Sequence, residues 1–339
     1  ARKSMKNQEE EVLNLMEQID PGWCQNRVNR GLSSGEGLVH AVRDSRQKNG
    51  KAVDPGVTDK RFLAVEEEYA SPLKRMDMSA NSLSPVLRQA FDGGILQVLT
   101  RNDPIKAMDT LVSLVANITS TELLRYLPRT ELASGFGNCH LILWVERARV
   151  LPRGGTLNQD VLDWLVIKLK DAICFASQAG RLSWAPEAES VWDEVYDWVT
   201  HDEPGVAGAL TARAEAHTLR LSCLYALLDE SPLVCEQHVR AAAGVWEYAA
   251  RSVRHIFGDD YGDPTTDRII KALLHHPKGL TRTQIHQVFK NHLDRTELTN
   301  ALNALEAAGK ARQEHLQTRG RSAERWVHID NCEGGSSNG

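Results

Sequence analysis

One short segment constrains the fold of this chain more than any other part of the sequence. The apolar residues Phe62–Val65 run directly into the three glutamates Glu66–Glu68. A continuous apolar run is typical of a strand that is buried on both faces, as in a parallel sheet covered by helices. Acidic side chains at the carboxyl end of such a strand lie at the edge where open α/β sheets bind their ligands. The segment therefore predicts a parallel sheet with a ligand site at this edge.

Two interpretations of this acidic end follow from the sequence. In a Walker B strand, one carboxylate lies near a nucleotide-bound magnesium ion and the next one activates water, which would assign Glu66 to magnesium and Glu67 to water. Alternatively, the glutamates form the acidic first turn of a helix, where the helix dipole favours them. Because short motifs match by chance, the rest of the chain has to decide between the two.

Predicted strands and helices alternate in the first half of the chain. The predicted helices are Ser4–Ile19, Leu38–Arg43, Leu83–Phe91 and Glu122–Leu127, and the other predicted strands are Arg27–Gly31, Thr110–Asn117 and His140–Val145. The polar segment Asp44–Asp59 contains glycine and proline, which predicts an exposed loop. Alternation of strands and helices indicates a parallel α/β sheet.

Polar residues follow the predicted strands in the order in which an ATPase needs them. Asn117 ends the strand after the acidic one, a place suited to a side chain that senses the γ-phosphate of ATP. Arg147 and Arg149 follow the next predicted strand, from which an arginine reaches the nucleotide of a neighbouring subunit. Each signal is weak alone, and their order along the chain strengthens the Walker B interpretation.

Residues Gln159–Phe257 follow a helical pattern almost throughout. Apolar residues recur at helical spacing, and Ser231-Pro232 separates two of the long helices. Large aromatic side chains in such a bundle are core residues more often than parts of a binding site. We therefore expect the bundle to be filled by Trp184, Trp192, Trp198 and Trp246.

The last part of the chain predicts a winged helix-turn-helix. A linker at residues 258–264 precedes a helix over Thr266–His275. Capping boxes at Thr281–Gln284 and Asp294–Glu297 predict the starts of a second helix, which ends at Phe289, and of a third helix, which ends at Ala308. Two strands, Lys310–Leu316 and Arg325–Ile329, follow. The tail has the composition of a disordered segment.

The third helix of this predicted domain carries residues suited to DNA. If Leu298, Leu302 and Leu305 pack inward, the outer face presents hydrogen-bonding side chains to phosphates and base edges in a major groove. These residues are Arg295, Thr296, Thr299, Asn300 and Asn303, and the predicted wing adds Arg319 and Arg321. Residues 263–330 carry a net charge of +3, although the whole chain carries −5. The alternative is a winged helix that contacts proteins.

Composition excludes several classes of protein. The chain has 339 residues, enough for two domains, and 42% of them are hydrophobic. No apolar run approaches the roughly 18 residues of a membrane span, and the first residues are not a signal peptide. The six cysteines show no C-x-x-C spacing, which indicates reduced thiols and no structural metal. We expect a cytoplasmic protein without a membrane partner.

Several segments together resemble a known family. They are Gly31–Leu38, Ala41–Asp44, Glu66–Glu68, Leu83–Ala90, Gly135–Asn138 and Ala212–His217. Together they look like the helicase-like ATPase region of the replication proteins of plasmids, phages and other mobile elements, in which a primase-polymerase module often precedes a hexameric RecA-like ATPase. The resemblance covers roughly residues 1–257 and, more loosely, the predicted winged helix.

The resemblance implies a fold, a cofactor and an assembly. The expected fold class is α/β, with a RecA-like P-loop NTPase parallel sheet that lacks its first strand. Residues 1–157 would form the ATPase core, 158–257 a helical region that completes it, 258–330 the winged helix-turn-helix, and 331–339 a disordered tail. Ala1–Ser4 would align with the end of a P-loop, with Lys3 binding phosphate and Ser4 binding magnesium. ATP and Mg²⁺ are the implied cofactors, and a homo-hexamer is the implied assembly.

Two roles in the implied site, the arginine that acts in trans and the catalytic base, have more than one candidate residue. Relatives tend to have arginine after the Gly-Phe-x-Asn turn, where this chain has Cys139-His140. The arginine that acts in trans is therefore expected at Arg147, Arg149 or Arg213. Glu36 competes with Glu67 for the role of base, because some RecA-like ATPases place that glutamate after the second strand. The alternative role of Glu36 is that of a carboxylate at a helix N-terminus.

The leading hypothesis is an ATP-dependent DNA helicase or translocase. Hydrolysis of Mg-ATP between subunits would be coupled to movement of single-stranded DNA through a ring, and the winged helix would bind double-stranded DNA. The second hypothesis is a non-enzymatic replication initiator or regulator, in which the winged helix binds DNA and the α/β part serves assembly.

Overall fold

A computed structural model describes residues 16–48, 51–78, 81–99, 104–150, 152, 158–201, 203–258, 263–290, 292–316 and 323–329. Two compact units can be separated by their internal contacts. The first contains residues 1–201 and 212–256, and the second contains residues 202–211 and 257–339. Among the described residues, no helix has both the length and the apolar character needed to cross a bilayer.

The helices from Trp23 to Phe257 are α1 (Trp23–Arg27), α2 (Gly35–Ala41), α3 (Ala70–Met76), α4 (Leu83–Phe91), α5 (Ser120–Tyr126), α6 (Arg129–Ala133), α7 (Gln159–Ala179), α8 (Pro186–Val199), α9 (Gly205–Thr211), α10 (Ala214–Leu228) and α11 (Glu236–Phe257). The strands in this part are β1 (Val28–Asn29), β2 (Arg46–Lys48), β3 (Lys51–Asp54), β4 (Arg61–Glu66), β5 (Leu96–Val98), β6 (Ile105–Ala107), β7 (Leu111–Ala116), β8 (Ser183–Trp184) and β9 (Leu233–Val234).

A three-stranded parallel sheet in the order β1-β4-β7 lies at the centre of the first unit. Leu63 pairs with Val28 on one side of β4, and Glu66 pairs with Ala116 on the other. Phe62 and Ala64 are buried on one face of β4, whereas Leu63 and Val65 on the opposite face are half-buried, because successive side chains of a strand point to opposite faces. The predicted burial on both faces is therefore only partly met. The predicted mixed α/β fold with a parallel sheet is confirmed, and the strand predicted at Arg27–Gly31 is shorter than expected.

The strand predicted at His140–Val145 is wrong. The segment pairs with no strand among the residues that the structure describes, and Leu141 instead packs on a small core of Val199, Ala214 and Trp246. The hydroxyl of Tyr248 on α11 donates a hydrogen bond to the Trp144 carbonyl. The backbone polar groups of this segment are therefore not organised by a sheet, and its apolar side chains pack partly on helices.

The exposed loop predicted at Asp44–Asp59 is wrong at residues 46–48 and 51–54, which form two strands, although none of the side chains described in this segment is buried. Strands β2 and β3 pair antiparallel, with Gln47 opposite Ala52 and Lys48 opposite Lys51. A second antiparallel pair, β5 with β6, places Leu96 opposite Ala107. Both of these apolar residues are fully buried. The first unit therefore carries two short hairpins in addition to its parallel sheet.

The helical region after residue 158 has a core of its own. The two-residue strands β8 and β9 pair in parallel between long helices. The core residues around them are Ala185, Ala188, Val191, Ala226, Val234 and Val239. Trp184 and Trp192 pack against this core with ring centroids 5.4 Å apart. The prediction that tryptophans fill the bundle is wrong for Trp198, which is 49% exposed.

The second unit contains three further helices and a small antiparallel sheet. They are α12 (Pro264–Leu274), β10 (Leu280–Thr281), α13 (Arg282–Val288), α14 (Arg295–Ala307), β11 (Ala311–Leu316) and β12 (Ala323–His328). The sheet order is β10-β12-β11. The hydrophobic core of the second unit includes Ile269, Leu273, Ile285, Leu298, Leu302, Leu305 and Trp326. Helix α9 belongs to the same unit.

The helix starts of this unit test the two predicted capping boxes. The box at Thr281 is confirmed, because its hydroxyl accepts from the Gln284 N–H and Gln284 accepts from the Thr281 N–H. The box at Asp294 is only half formed. Asp294 accepts from the Thr296 N–H at 2.9 Å, whereas Glu297 accepts a hydrogen bond from Thr265 instead. The second half of the capping box is missing because the Glu297 carboxylate bonds Thr265, which is distant in the sequence.

Candidate functional site

The carboxyl edge of the parallel sheet brings the predicted acidic and polar residues together. Glu66, the last residue of β4, is 6% exposed, and its Oε1 accepts a hydrogen bond of 2.6 Å from the Leu32 N–H. The Asn117 N–H donates to the Glu66 carbonyl at 2.8 Å, and the Tyr69 N–H donates to the Asn117 carbonyl at 2.9 Å. Glu66 at the end of β4 and Asn117 directly after β7 therefore lie side by side at the edge of the sheet.

The neighbouring glutamate has a different environment. Glu67 is exposed, and its carboxylate forms an ion pair of 3.5 Å with Arg30 across the surface. Exposed ion pairs contribute little to stability, so this contact leaves the carboxylate able to meet a ligand. The buried carboxylate is thus held by the fold, and the next one faces solvent.

The glycine-rich loop between β1 and α2 is anchored over this edge. Gly31 adopts a φ of 80°, which favours glycine. The Leu32 carbonyl accepts from Arg75 at 3.3 Å, and the Ser33 carbonyl accepts from Asn81 at 3.0 Å. Ser34 then caps α2 by accepting from the Gly37 N–H at 3.1 Å. Side chains from α3 and from the segment before α4 therefore hold the backbone of the loop beside Glu66.

The start of α2 explains another glycine of the motif. A Cβ atom at Gly35 would lie 2.5 Å from the Ser82 carbonyl oxygen and 2.7 Å from a methyl carbon of Val86. Only glycine fits this close approach of α2 to α4. Glu36 is exposed in the first turn of α2, where the helix dipole favours a carboxylate.

Three of the sequence segments that carry the resemblance meet in space. They are α4, the loop Gly135–His140 and the start of α10. Arg88 donates to the Ser134 carbonyl at 2.8 Å, next to this loop. His217 bonds the Asn138 carbonyl through Nε2 at 2.9 Å, and its ring packs on Phe91 with a centroid distance of 5.1 Å. These contacts bind the three segments into one cluster.

The candidate trans-acting arginines are placed differently from one another. Arg213 forms an ion pair with Asp92 of the same chain and lies over the Phe91 ring, 4.9 Å from its centroid. Arg147 and Arg149 are exposed in a segment without regular structure. The expectation that these two follow a strand is wrong, because their segment does not pair with the sheet.

A histidine and a tyrosine connect the sheet edge to this cluster. Burial raises the pKa of Tyr69, so its hydroxyl keeps its proton and donates to His140 Nε2 at 2.8 Å. His140 Nδ1 then carries the ring proton, which it donates to the Phe136 carbonyl at 3.1 Å. Desolvation of the imidazole lowers the pKa of His140 to about 4. The ring is therefore neutral at pH 7 and is held from both sides.

The carboxyl edge offers an oxygen ligand for the implied magnesium ion. Glu66 Oε2 makes no hydrogen bond within the described part of the chain, which leaves one carboxylate oxygen for a cation. Magnesium in nucleotide sites commonly uses one or two carboxylates together with phosphates and water. The donor set at the edge fits that pattern, and no group of three metal-ligating side chains occurs among the described residues. Lys3 and Ser4 lie outside the described residues.

The candidate DNA-contacting residues of the second unit divide into two groups. Arg295, Thr296, Asn300 and Asn303 are exposed on α14. Thr299 is half-buried, and its hydroxyl accepts from Arg282 at 2.9 Å while donating to the Arg295 carbonyl at 2.8 Å. Thr299 therefore connects α13 to α14 within the protein. Arg319 and Arg321 lie outside the described residues.

Charges on the small sheet of the second unit are largely paired. Arg282 forms an ion pair of 2.8 Å with Glu324, and Glu314 pairs with Arg325 at 2.6 Å and with Arg312 at 2.9 Å. The hydrogen bonds from these arginines lower the pKa of Glu314. The pairs orient the strands relative to α13, and they reduce the positive charge that the sheet presents to a polyanion.

Comparisons with known proteins add no family to this description. No protein-family model matches the chain, and no curated protein matches it. Function is therefore inferred from two surfaces of the molecule, the carboxyl edge of the parallel sheet and the exposed face of α14.

Sequence reasoning missed several residues that organise the first surface. Tyr69 and Asp92 have no motif of their own, although each lies beside a segment that carries the resemblance, and the contact of Asn138 with His217 was not predicted although Asn138 belongs to the Gly-Phe-x-Asn turn. The signal that could have found them is the position of a polar residue directly after a buried strand or helix. Their partners lie between 71 and 121 residues away along the chain, which no local pattern can show.

Proposed function

We propose that this chain is an ATP-dependent DNA helicase or translocase module, built on a RecA-like ATPase fold with a winged helix-turn-helix. One observation carries the proposal: buried Glu66 ends β4, exposed Asn117 directly follows the adjacent parallel strand β7, and exposed Glu67 directly follows Glu66. Ligands of open parallel sheets bind at this edge, and Walker B carboxylates lie at the same position of such sheets. The anchored glycine-rich loop gives the edge a fixed second wall.

Each residue of this site would have its own role in ATP hydrolysis. Glu66 and Ser4 would hold the magnesium ion of Mg-ATP, and Lys3 would bind phosphate. The ion would neutralise charge that develops on the phosphates. Glu67 would orient the attacking water and take its proton, a role that an exposed carboxylate next to a fixed one can fill. Asn117 would contact the γ-phosphate.

Hydrolysis would be completed between subunits of a ring. An arginine that acts in trans must extend from its own subunit, which favours exposed Arg147 or Arg149 over Arg213, already paired with Asp92. A homo-hexamer with single-stranded DNA in its channel is the assembly that this arrangement supports. The second unit would bind double-stranded DNA through α14, whose outward side chains are polar.

The test is ATP hydrolysis by a protein that contains the whole chain, with and without single-stranded DNA. Glu67→Gln should lower the turnover at least about 100-fold, because general base catalysis is typically worth 10²–10⁴. Glu68→Gln is the matched control, since Glu68 is exposed and adjacent, and it should stay near the wild-type rate. If Glu36→Gln abolishes turnover and Glu67→Gln does not, the base is Glu36. If neither substitution changes turnover, the proposed catalytic site is wrong.

A second candidate function is a non-enzymatic replication initiator or regulator. The observation that favours it is the polar outward face of α14, which needs no nucleotide to bind DNA. In this case, the protein would bind duplex DNA with equal affinity whether or not ATP is present, and it would hydrolyse no ATP. Measuring duplex binding and ATP turnover on the same preparation separates the two functions.

A further inference from the structure

We infer that α14 reads adenine–thymine base pairs in the major groove of duplex DNA, with Asn300 and Asn303 as the residues that recognise adenine. The inference rests on the proposed DNA-binding function of the second unit and names the sequence class that it would select. It follows from which side of α14 is buried, from the spacing of the exposed side chains and from their chemistry.

Packing fixes the face that α14 presents. Leu298 is 1% exposed, and Leu302 and Leu305 are fully buried in the core of the second unit. Thr296, Asn300 and Asn303 are exposed on the other side of the same helix. With 3.6 residues per turn, positions separated by four and three residues form a nearly straight row.

The length of this row suits a short run of base pairs. Thr296 and Asn303 are seven positions apart, which corresponds to about 10 Å along a helix that rises 1.5 Å per residue. Stacked base pairs repeat about every 3.4 Å, so the row spans about three of them. A major groove admits a helix of this size, and residues in the first turns of a recognition helix reach the base edges.

The chemistry of the row favours adenine over the other bases. An asparagine amide offers one donor group and one acceptor, which match N6 and N7 of adenine. Guanine is read mainly by arginine or lysine, and cytosine by carboxylates. Neither type occurs in the row, and the exposed methyl groups of Ala304 and Ala307 beside its end suit the thymine methyl.

Three carboxylates near the row are occupied within the protein, and a fourth, Glu306, is exposed on α14. Asp294 caps α14 through the Thr296 N–H, and Glu297 accepts the hydroxyl proton of Thr265 at 2.6 Å. Glu324 is paired with Arg282, which also holds Thr299. These contacts engage three of the carboxylates, whereas Glu306 lies three positions after Asn303, beyond the end of the row. Exposed Arg295, at the start of the helix, is placed for a phosphate, a contact that adds affinity without sequence preference.

The experiment measures binding of the whole chain to fluorescent duplexes at fixed salt, because affinity for DNA depends steeply on salt. Two duplexes share flanking sequences and differ in a central A·T or G·C block. The wild-type protein should prefer the A·T duplex about tenfold or more, within the range for good bidentate contacts. Asn300→Ala and Asn303→Ala should each reduce this preference severalfold, while weak binding to both duplexes persists. Gln313→Ala, an exposed amide on β11, is the matched control and should leave the preference unchanged.

The outcomes separate this inference from the function on which it rests. Equal wild-type affinity for the two duplexes overturns the base preference and leaves DNA binding intact. Absence of binding to any duplex overturns both. A preference that survives in both asparagine variants overturns the assignment to this row. Arg295→Ala should weaken binding to both duplexes by the same factor, and thermal unfolding of each variant at the wild-type temperature shows that the fold is unchanged.

Discussion

At the scale of single residues, two adjacent glutamates lie in different environments, because Glu66 is buried at the end of β4 and Glu67 is exposed. Glu66 ends β4 with its carboxylate in the protein, where it accepts the Leu32 N–H, and Glu67 begins the exposed segment after the strand. A buried N–H without a partner destabilises a protein by about 1–3 kcal/mol. The structural carboxylate therefore also fixes the glycine-rich loop.

Replacing Glu66 tests whether its hydrogen bond to the Leu32 N–H stabilises the protein. Glu66→Ala leaves the Leu32 N–H without its acceptor, so we expect the free energy of unfolding to fall by about 1–3 kcal/mol. Glu67→Ala, at an exposed position, should change it by less than about 0.5 kcal/mol. Glu66→Gln keeps an acceptor oxygen and should recover most of the stability without the charge. Urea unfolding of the three variants measures these values, and equal stability of Glu66→Ala and wild type would contradict the assignment.

The neutral imidazole of His140 makes stability depend on pH. Its pKa is lowered by desolvation from an ordinary value of 6.5 to about 4, so the unfolded chain binds more protons than the folded chain between these values. Stability from this group is fully present above pH 6.5 and falls as the pH decreases towards 4. The largest slope is about 1.4 kcal/mol per pH unit. Burial also lowers the pKa of His217, which adds a change of the same sign.

A substitution of His140 separates its contribution to the pH dependence of stability from the contributions of the other titratable groups. His140→Gln retains an amide that can bond Tyr69 and the Phe136 carbonyl, but it does not titrate in this range. We expect its unfolding free energy to vary less between pH 7 and pH 4.5 than that of the wild type. Working above pH 4.5 avoids the paired aspartates, since stability from Asp54, whose pKa is about 2 through its bond to Arg43, is lost only below 3.8. Parallel pH profiles would refute the role of this imidazole.

At the scale of single elements, the start of α13 is determined by one reciprocal pair of hydrogen bonds. Replacing Thr281 with alanine removes an N-cap side chain, which lowers stability by about 1 kcal/mol in typical cases. Thr283 lies in the first turn of the same helix and is exposed, so Thr283→Ala is the matched control and should stay within about 0.5 kcal/mol. Chemical denaturation of both variants gives the comparison, and equal effects would show that the cap does not carry the stability.

Elements with a local cause could be predicted from the sequence. The capping residues of α13 lie within four positions of one another, and the apolar run in β4 forms a strand, so spacing and composition were sufficient to predict both elements. Burial of both faces of β4 was not predicted correctly, because only one face is fully buried. The neighbourhood of Glu66 and Asn117 could also be predicted, because parallel strands end at a common edge of the sheet. This part of the candidate site needed only the order of strands along the chain.

Elements that depend on distant partners could not be predicted. The apolar segment Leu141–Val145 has the composition of a strand, but helices rather than strands meet it in the fold. Short apolar runs of this kind do not distinguish a strand from another packed segment. The pair Arg213–Asp92 joins residues 121 positions apart. The hairpin of β2 and β3 did have a signal, since the dipeptide Asn49-Gly50 between the strands favours hairpin turns.

At the scale of the whole molecule, each unit has a hydrophobic core of its own. We therefore expect a substitution in one core to lower the stability of that unit. The second unit has a contiguous core of leucines, isoleucines and a tryptophan that draws on its helices and its sheet. The first unit has separate clusters around its sheet and its long helices. We therefore expect each unit to have its own free energy of unfolding, because compact units with their own cores unfold as separate cooperative blocks.

A matched pair of leucines tests this expectation. Leu73 on α3 and Leu302 on α14 are both fully buried, one in each unit. Replacement of a buried leucine with alanine lowers stability by about 2–5 kcal/mol, because it removes apolar contacts and leaves a cavity. Native-state hydrogen exchange, resolved by peptide, should show faster exchange in the second unit alone for Leu302→Ala and in the first unit alone for Leu73→Ala. Since the exchange rate of a cooperative block reports its own unfolding free energy, loss of protection in both units of either variant would mean that the chain unfolds as a single block.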